Sequence, residues 1–166
     1  VPFLMADLFQ RSPAAFGLFF MMMSGSFLVG TIISSRITVR VGLDRMVRIG
    51  STGSMVAALL VPALFLADIQ TPWAIFLPGI VMGVFHGLAM PNAQAGAVSV
   101  NPQVAGSASG LTMFLQMSIG AAFGQAAGML PHDSALPIAI LIALAGLGGF
   151  LAYNGTLFFA RRRTVP

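Results

Sequence analysis

Among the polar side chains inside the apolar stretches of this chain, five are its main candidates for chemistry. His86, Asn92 and Gln94 fall in one stretch, Gln116 in the next and Asn154 in the last. Polar groups at membrane depth are costly and face a partner or a water-filled cavity. His86 can also titrate near neutral pH, so it is a candidate to bind or relay a proton. We predict that these residues line a substrate cavity, with interhelical hydrogen bonds as the alternative for each.

The residue types needed for enzyme chemistry are scarce. The chain has no Cys and no Glu, and its Asp residues all lie outside the apolar stretches. Zinc-protease, serine-hydrolase and phosphate-loop motifs are absent from the sequence. His86 and His132 are predicted to lie at different depths, so we expect no shared metal site. We therefore predict a protein that is not an enzyme and has neither metal nor cofactor.

Glycines recur at every fourth position in two of the apolar stretches. Such spacing puts small residues on one face of a helix and lets backbones approach closely in lipid. We predict that these glycines pack helices, and the same faces could also slide during a rocking motion. The residues concerned are Gly79, Gly83, Gly87, Gly120, Gly124 and Gly128.

The composition indicates what must position these residues. Hydrophobic residues make up 57% of the chain and charged residues 7%, against about 25% charged in an ordinary soluble domain. The lipid bilayer is the solvent that fits. The sequence pI is about 11.5, but the basic residues form no face along a helix, so no nucleic-acid partner is expected.

Five segments are long enough to cross the bilayer, which takes about 20 apolar residues. Their connectors are short, so residues 1–166 are predicted to form a single transmembrane domain, an all-α polytopic membrane helix bundle. Residues 1–10 look like the stub of a truncated further helix. The predicted spans are residues 13–35, 46–67, 73–98, 104–130 and 135–160.

Two local features refine these spans. Gly42 is expected to break the chain before the second helix, and Asp44 to cap that helix. The run Met90-Pro91-Asn92 is expected to interrupt the third helix, either as a kink or as part of a binding site.

The orientation follows from the arginines. Seven of the eight surround the first connector or follow the last helix, and five crossings put both groups on one side. Basic residues collect on the cytoplasmic side. We therefore predict a cytoplasmic C-terminus and a cytoplasmic loop that carries Asp44, Arg45 and Arg48.

Several motifs resemble one transporter family. Gly87-Leu-Ala-Met-Pro-Asn-Ala-Gln-Ala-Gly96 and Ala105-Gly-Ser-Ala-Ser-Gly-Leu111 resemble the tenth and eleventh helices of the major facilitator superfamily, most closely its Bcr/CflA-type drug:proton antiporters. Residues 36–50 resemble the basic loop between helices eight and nine, although Asp44 stands closer to Gly42 than in the superfamily's usual motif. Ser12-Pro-Ala-Ala-Phe-Gly17 is similar to the entry of the eighth helix.

The resemblance covers nearly the whole chain, as helices eight to twelve and the end of seven. It implies a twelve-helix fold with alternating access between two six-helix halves and substrate near the midplane. Proton-carrying carboxylates in this group usually lie in the N-terminal half. Val1 is not an initiator Met, and we expect this chain to be cut from a longer protein whose N-terminal half is its partner.

Our leading hypothesis is the C-terminal half of a secondary transporter in the bacterial inner membrane, driving proton-coupled efflux of small amphipathic drugs or metabolites. The alternative is a non-transporting scaffold or remnant domain that associates through its glycine faces. Six further hydrophobic spans upstream, with a carboxylate in the first, would favour the transporter. A membrane-embedded enzyme is a distant third because no nucleophile or metal cluster is visible.

Overall fold

A computed structural model describes residues 13–69, 71–130 and 134–163, and this part of the chain is helical without strands. The predicted all-α class is confirmed. The helices are α1 (Pro13–Val41), α2 (Leu43–Leu66), α3 (Trp73–Ser99), a short 3-10 helix (Pro102–Val104), α4 (Ala105–Met129) and α5 (Leu136–Arg163).

Four of these helices, α1, α2, α3 and α5, are long and apolar enough to cross a membrane. Large apolar side chains such as Leu28, Leu59 and Leu144 point outward along them, where only lipid can cover them. The protein is therefore an integral membrane helix bundle. Helix α4 occupies the place of the predicted fourth span, but it carries Gln116 and Gln125 and is less apolar. Its crossing stays a prediction.

Helix α3 is the centre of the bundle. It packs against α1 on one side and against α2 on another, and α5 packs against α2. An apolar cluster of Val61, Ile75, Ile138 and Ala139 joins α2, α3 and α5 near one end. Helix α4 touches α3 and α5 more lightly and has no buried residue.

Glycines let α1 and α3 approach closely. A Cβ on Gly83 would lie 3.0 Å from the carbonyl oxygen of Met23, and one on Gly87 would lie 2.8 Å from the backbone nitrogen of Thr31. A Cβ on Gly79 would lie 2.9 Å from the side chain of Met23. The two helices can approach this closely because these three positions of α3 carry no side chain of their own.

The glycines of α4 have different surroundings. A Cβ on Gly120, Gly124 or Gly128 would meet no atom of another element within 4 Å in the described part of the chain. Their predicted role in helix packing stays a prediction.

The corner between α1 and α2 differs from the predicted loop. Helix α1 continues to Val41, six residues beyond its predicted end, and only Gly42 separates it from α2. Gly42 has φ of 89°, a conformation that glycine adopts without strain. Asp44 was expected to cap α2, but this was wrong: Gly42 holds the cap position, no side chain caps the helix, and Asp44 lies in its first turn.

A break of the third helix at Pro91 is not observed, because α3 continues through both Pro78 and Pro91, while the kink expected there stays a prediction. Proline removes one backbone hydrogen bond, which neighbouring polar groups can offset in a membrane helix. Here the Asn92 side-chain amide donates to the carbonyl oxygen of Leu88 at 2.7 Å, which supports the turn that contains Pro91.

Candidate functional site

A cavity of about 600 Å³ lies between α2, α3 and α5, with one residue from α4 at its edge. Met82, His86 and Met90 line it from α3, and Phe150 and Tyr153 line it from α5. Small-molecule sites are commonly apolar clefts of about 300–1,000 Å³ with a few polar groups. The size and the lining of this cavity match that description.

Among the described residues, no Asp, Glu, Lys or Arg lines the cavity. Its polar side chains are Ser51 and Ser54 of α2, Tyr153 of α5, His86 of α3 and Gln116 of α4. The Ser51 hydroxyl donates to the carbonyl oxygen of Arg48 at 3.1 Å, and the Tyr153 hydroxyl donates to the carbonyl oxygen of Asp44 at 2.6 Å. The buried Ser54 hydroxyl has no hydrogen-bond partner within the described residues. The cavity thus favours uncharged or mostly apolar molecules.

His86 and Gln116 are the two predicted cavity residues that line this cavity. The His86 ring also lies 6.1 Å from the ring of Phe27, centroid to centroid. Gln94 is not part of the lining, but its amide nitrogen lies 3.5 Å from the side-chain oxygen of Gln116. This contact connects α3 and α4 at the edge of the cavity.

Asn92 lies elsewhere, buried between α1 and α3. Its side-chain amide donates to the Ser34 hydroxyl at 2.6 Å, and its oxygen accepts a hydrogen bond of 2.9 Å from the Thr38 hydroxyl. Asn92 is 4% exposed and Ser34 is 3% exposed. The structure places Asn92 as an interhelical hydrogen-bonding group, the alternative considered from the sequence.

Asn154 also lies outside the cavity lining. Its side-chain amide donates to the carbonyl oxygen of Phe150 at 2.8 Å, one turn earlier in the same helix. Of the five candidates, the structure therefore brings His86 and Gln116 to the cavity, places Gln94 behind Gln116, and leaves both asparagines outside.

Sequence reasoning missed Ser51, Ser54 and Tyr153 as lining residues. The serines are common and fit any helix surface in lipid. Tyr153 had a usable signal, because it is the sole tyrosine of the sequence and stands near the end of the last span, where amphipathic rings are typical.

The corner between α1 and α2 carries the charged residues of the described chain apart from Asp68 and the end of α5. Arg36, Arg40, Asp44, Arg45 and Arg48 are all exposed there. Residues 41–45 line a shallow polar hollow of about 620 Å³. The corner is thus spatially separate from the apolar cavity, with Tyr153 reaching between them.

The fold and the site define a polytopic membrane helix bundle with an internal apolar cavity. The chain is 28% identical over 142 residues to a bicyclomycin resistance protein homolog of Haemophilus influenzae, an alignment that covers 83% of this chain and 34% of the relative. The chain therefore spans about a third of that relative's length. No family model matches the chain, and no solved structure matches it.

Proposed function

We propose that this chain is part of a secondary transporter that exports small, mostly uncharged amphipathic molecules. The observation that carries the proposal is the cavity of about 600 Å³, whose described walls are mainly apolar and hold His86 and Gln116 but no charged side chain. The similarity of the chain to a bicyclomycin resistance protein homolog supports drug-like compounds as the substrate class.

The chain would act as the C-terminal half of a twelve-helix transporter of the major facilitator superfamily. The chain aligns with about a third of a longer relative, and this supports a role as one part of a larger molecule. The face of α4, whose glycines meet no other helix in the described chain, would then be available to the other half. Rocking of the two halves would expose the substrate alternately to each side of the membrane.

Proton coupling is the second part of the proposal. His86 is a titratable side chain within a described span, and it lines the cavity. The single carboxylate within the described spans is that of Asp44, in the first turn of α2 and outside the cavity lining, so the coupling carboxylates would lie in the other half. The bacterial inner membrane, with the C-terminus in the cytoplasm, is the location that fits the arginine distribution.

Transport by the protein that contains this chain tests the assignment. His86→Ala and Gln116→Ala should each lower bicyclomycin resistance and bicyclomycin efflux by about three- to tenfold, the effect of one lost neutral hydrogen bond. Asn154→Ala is the matched control, since its amide bonds within its own helix, and it should transport normally.

The assignment fails if both cavity variants transport like the wild type, or if Asn154→Ala is impaired as strongly as they are. A proton role for His86 has its own readout, because His86→Ala should weaken the dependence of efflux on the pH gradient while Gln116→Ala should not.

A further inference from the structure

Four arginines form a compact basic corner where α1 ends and α2 begins. Arg36 and Arg40 are four residues apart near the end of α1, and Arg45 and Arg48 are three apart in the first turns of α2. Residues at these spacings share one face of a helix. Because Gly42 alone joins the two helices, both pairs lie at the same end of the bundle.

These guanidinium groups carry positive charge that the described protein does not neutralise. All four side chains are exposed, and none makes an ion pair or a side-chain hydrogen bond within the described residues. Asp44 is the single acid among them, and it too is exposed. The corner therefore has a surplus of positive charge with donors available for an outside partner.

The depth of the corner indicates the partner. Both helices are apolar enough to span a membrane, so their shared end lies near the lipid headgroups. Arginine side chains at helix ends extend toward that region. A guanidinium group can bind phosphate through two parallel hydrogen bonds, and Arg45 lines a shallow hollow of about 620 Å³ formed by residues 41–45.

We propose that this corner, formed by Arg36, Arg40, Arg45 and Arg48, is a binding site for an anionic phospholipid such as phosphatidylglycerol. A zwitterionic lipid also has a phosphate, but its cationic group would be repelled by the surplus positive charge. Basic clusters beside membrane helices attract anionic lipids in this way. Lipid binding at this corner does not depend on the proposed transport function.

The test uses the purified full-length protein in phosphatidylcholine bilayers with spin-labelled phosphatidylglycerol or phosphatidylcholine as the probe. Electron paramagnetic resonance gives the ratio of the two association constants. The wild type should prefer phosphatidylglycerol several-fold, and each Arg→Gln change at the corner should lower that preference by about two- to fivefold. High salt should also lower it, because exposed charges are screened.

Asp44→Asn is the decisive control, because removing the acid should raise the preference for phosphatidylglycerol while general damage would lower it. A variant that combines Arg161→Gln, Arg162→Gln and Arg163→Gln should lose less of the preference for phosphatidylglycerol than a variant with all four corner arginines changed to Gln. Thermal unfolding checks that every variant is folded. The proposal would be overturned if the variant with all four corner arginines changed to Gln kept the wild-type preference for phosphatidylglycerol. It would also be overturned if Asp44→Asn lowered that preference.

Discussion

At the scale of single residues, Asn92 shows how hydrogen bonds accommodate a polar side chain inside a membrane helix bundle. Its side chain bonds to Ser34 and Thr38 on α1 and to the Leu88 carbonyl oxygen on its own helix. These hydrogen bonds leave Asn92 with partners for both of its polar atoms. Its contribution is therefore to hold α1 against α3.

Asn92→Ala should lower the stability of the protein by about 1–2 kcal/mol, because the Ser34 and Thr38 hydroxyls lose a hydrogen-bond partner. Hydrogen bonds between membrane helices are worth roughly 0.6 kcal/mol each and at most about 1.7 kcal/mol. The measurement is thermal unfolding in detergent. Asn154→Ala removes a bond within one helix only and should change the melting temperature little. Equal effects of the two substitutions would contradict the assigned role of Asn92.

The sequence indicated which polar residues lie at membrane depth, but not which of them share a face. His86 and Asn92 are six residues apart, and at 3.6 residues per turn their directions differ by about 120° around α3. That difference favours separate faces, although both residues were predicted to line one cavity. Which of the two faces would be the cavity could not be predicted, because it depends on where α1 and α2 pack.

At the scale of elements, the structure distinguishes two groups of glycines that look the same in sequence. Those of α3 lie against α1: Gly79 faces the side chain of Met23, and a Cβ on Gly87 would be 2.8 Å from the backbone nitrogen of Thr31. Those of α4 meet open space within the described chain. Spacing alone therefore predicted a small-residue face but not the presence of a neighbour.

Gly87→Ala should destabilise the bundle by at least about 2 kcal/mol, since the added methyl group overlaps backbone that has no freedom to rotate away. Gly124→Ala is the matched change on α4, and it should be neutral or stabilise the isolated chain by up to about 1 kcal/mol through helix propensity. Thermal unfolding in detergent compares the two. A large loss in Gly124→Ala would show that α4 packs against a surface outside the described residues.

The predicted helix ends agree with the structure where a short polar connector follows the apolar run. They disagree where arginines follow it. The third span was expected at 73–98 and α3 is Trp73–Ser99. Helix α1 was expected to stop at residue 35, because Arg36 ends the apolar run, yet arginine is a good helix former. The helix consequently continues until Gly42.

At the scale of the whole molecule, α4 decides the topology. Its two glutamines and its lack of buried residues set it apart from the four helices that qualify as spans. If α4 crosses the membrane, the α1–α2 corner and the end of α5 lie on the same side. If it does not, they lie on opposite sides.

Cysteine labelling settles this, because the chain has no cysteine of its own. Arg45→Cys and Thr164→Cys should react with a membrane-impermeant maleimide from the same side, and Ser134→Cys from the other, since three crossings separate residues 45 and 134. Labelling of intact and permeabilised cells provides the comparison. Reaction of Arg45→Cys and Ser134→Cys from one side would mean that α4 does not cross.

The hydrogen bond between Tyr153 and Asp44 has a consequence for how the protein is made. It joins residues 109 positions apart in the chain, and synthesis at about 5–20 residues per second separates them by roughly 5–20 s. For most of that interval α1 and α2 are complete, while the helix that supplies Tyr153 does not yet exist. The last described helix to leave the ribosome therefore completes a contact at the first corner.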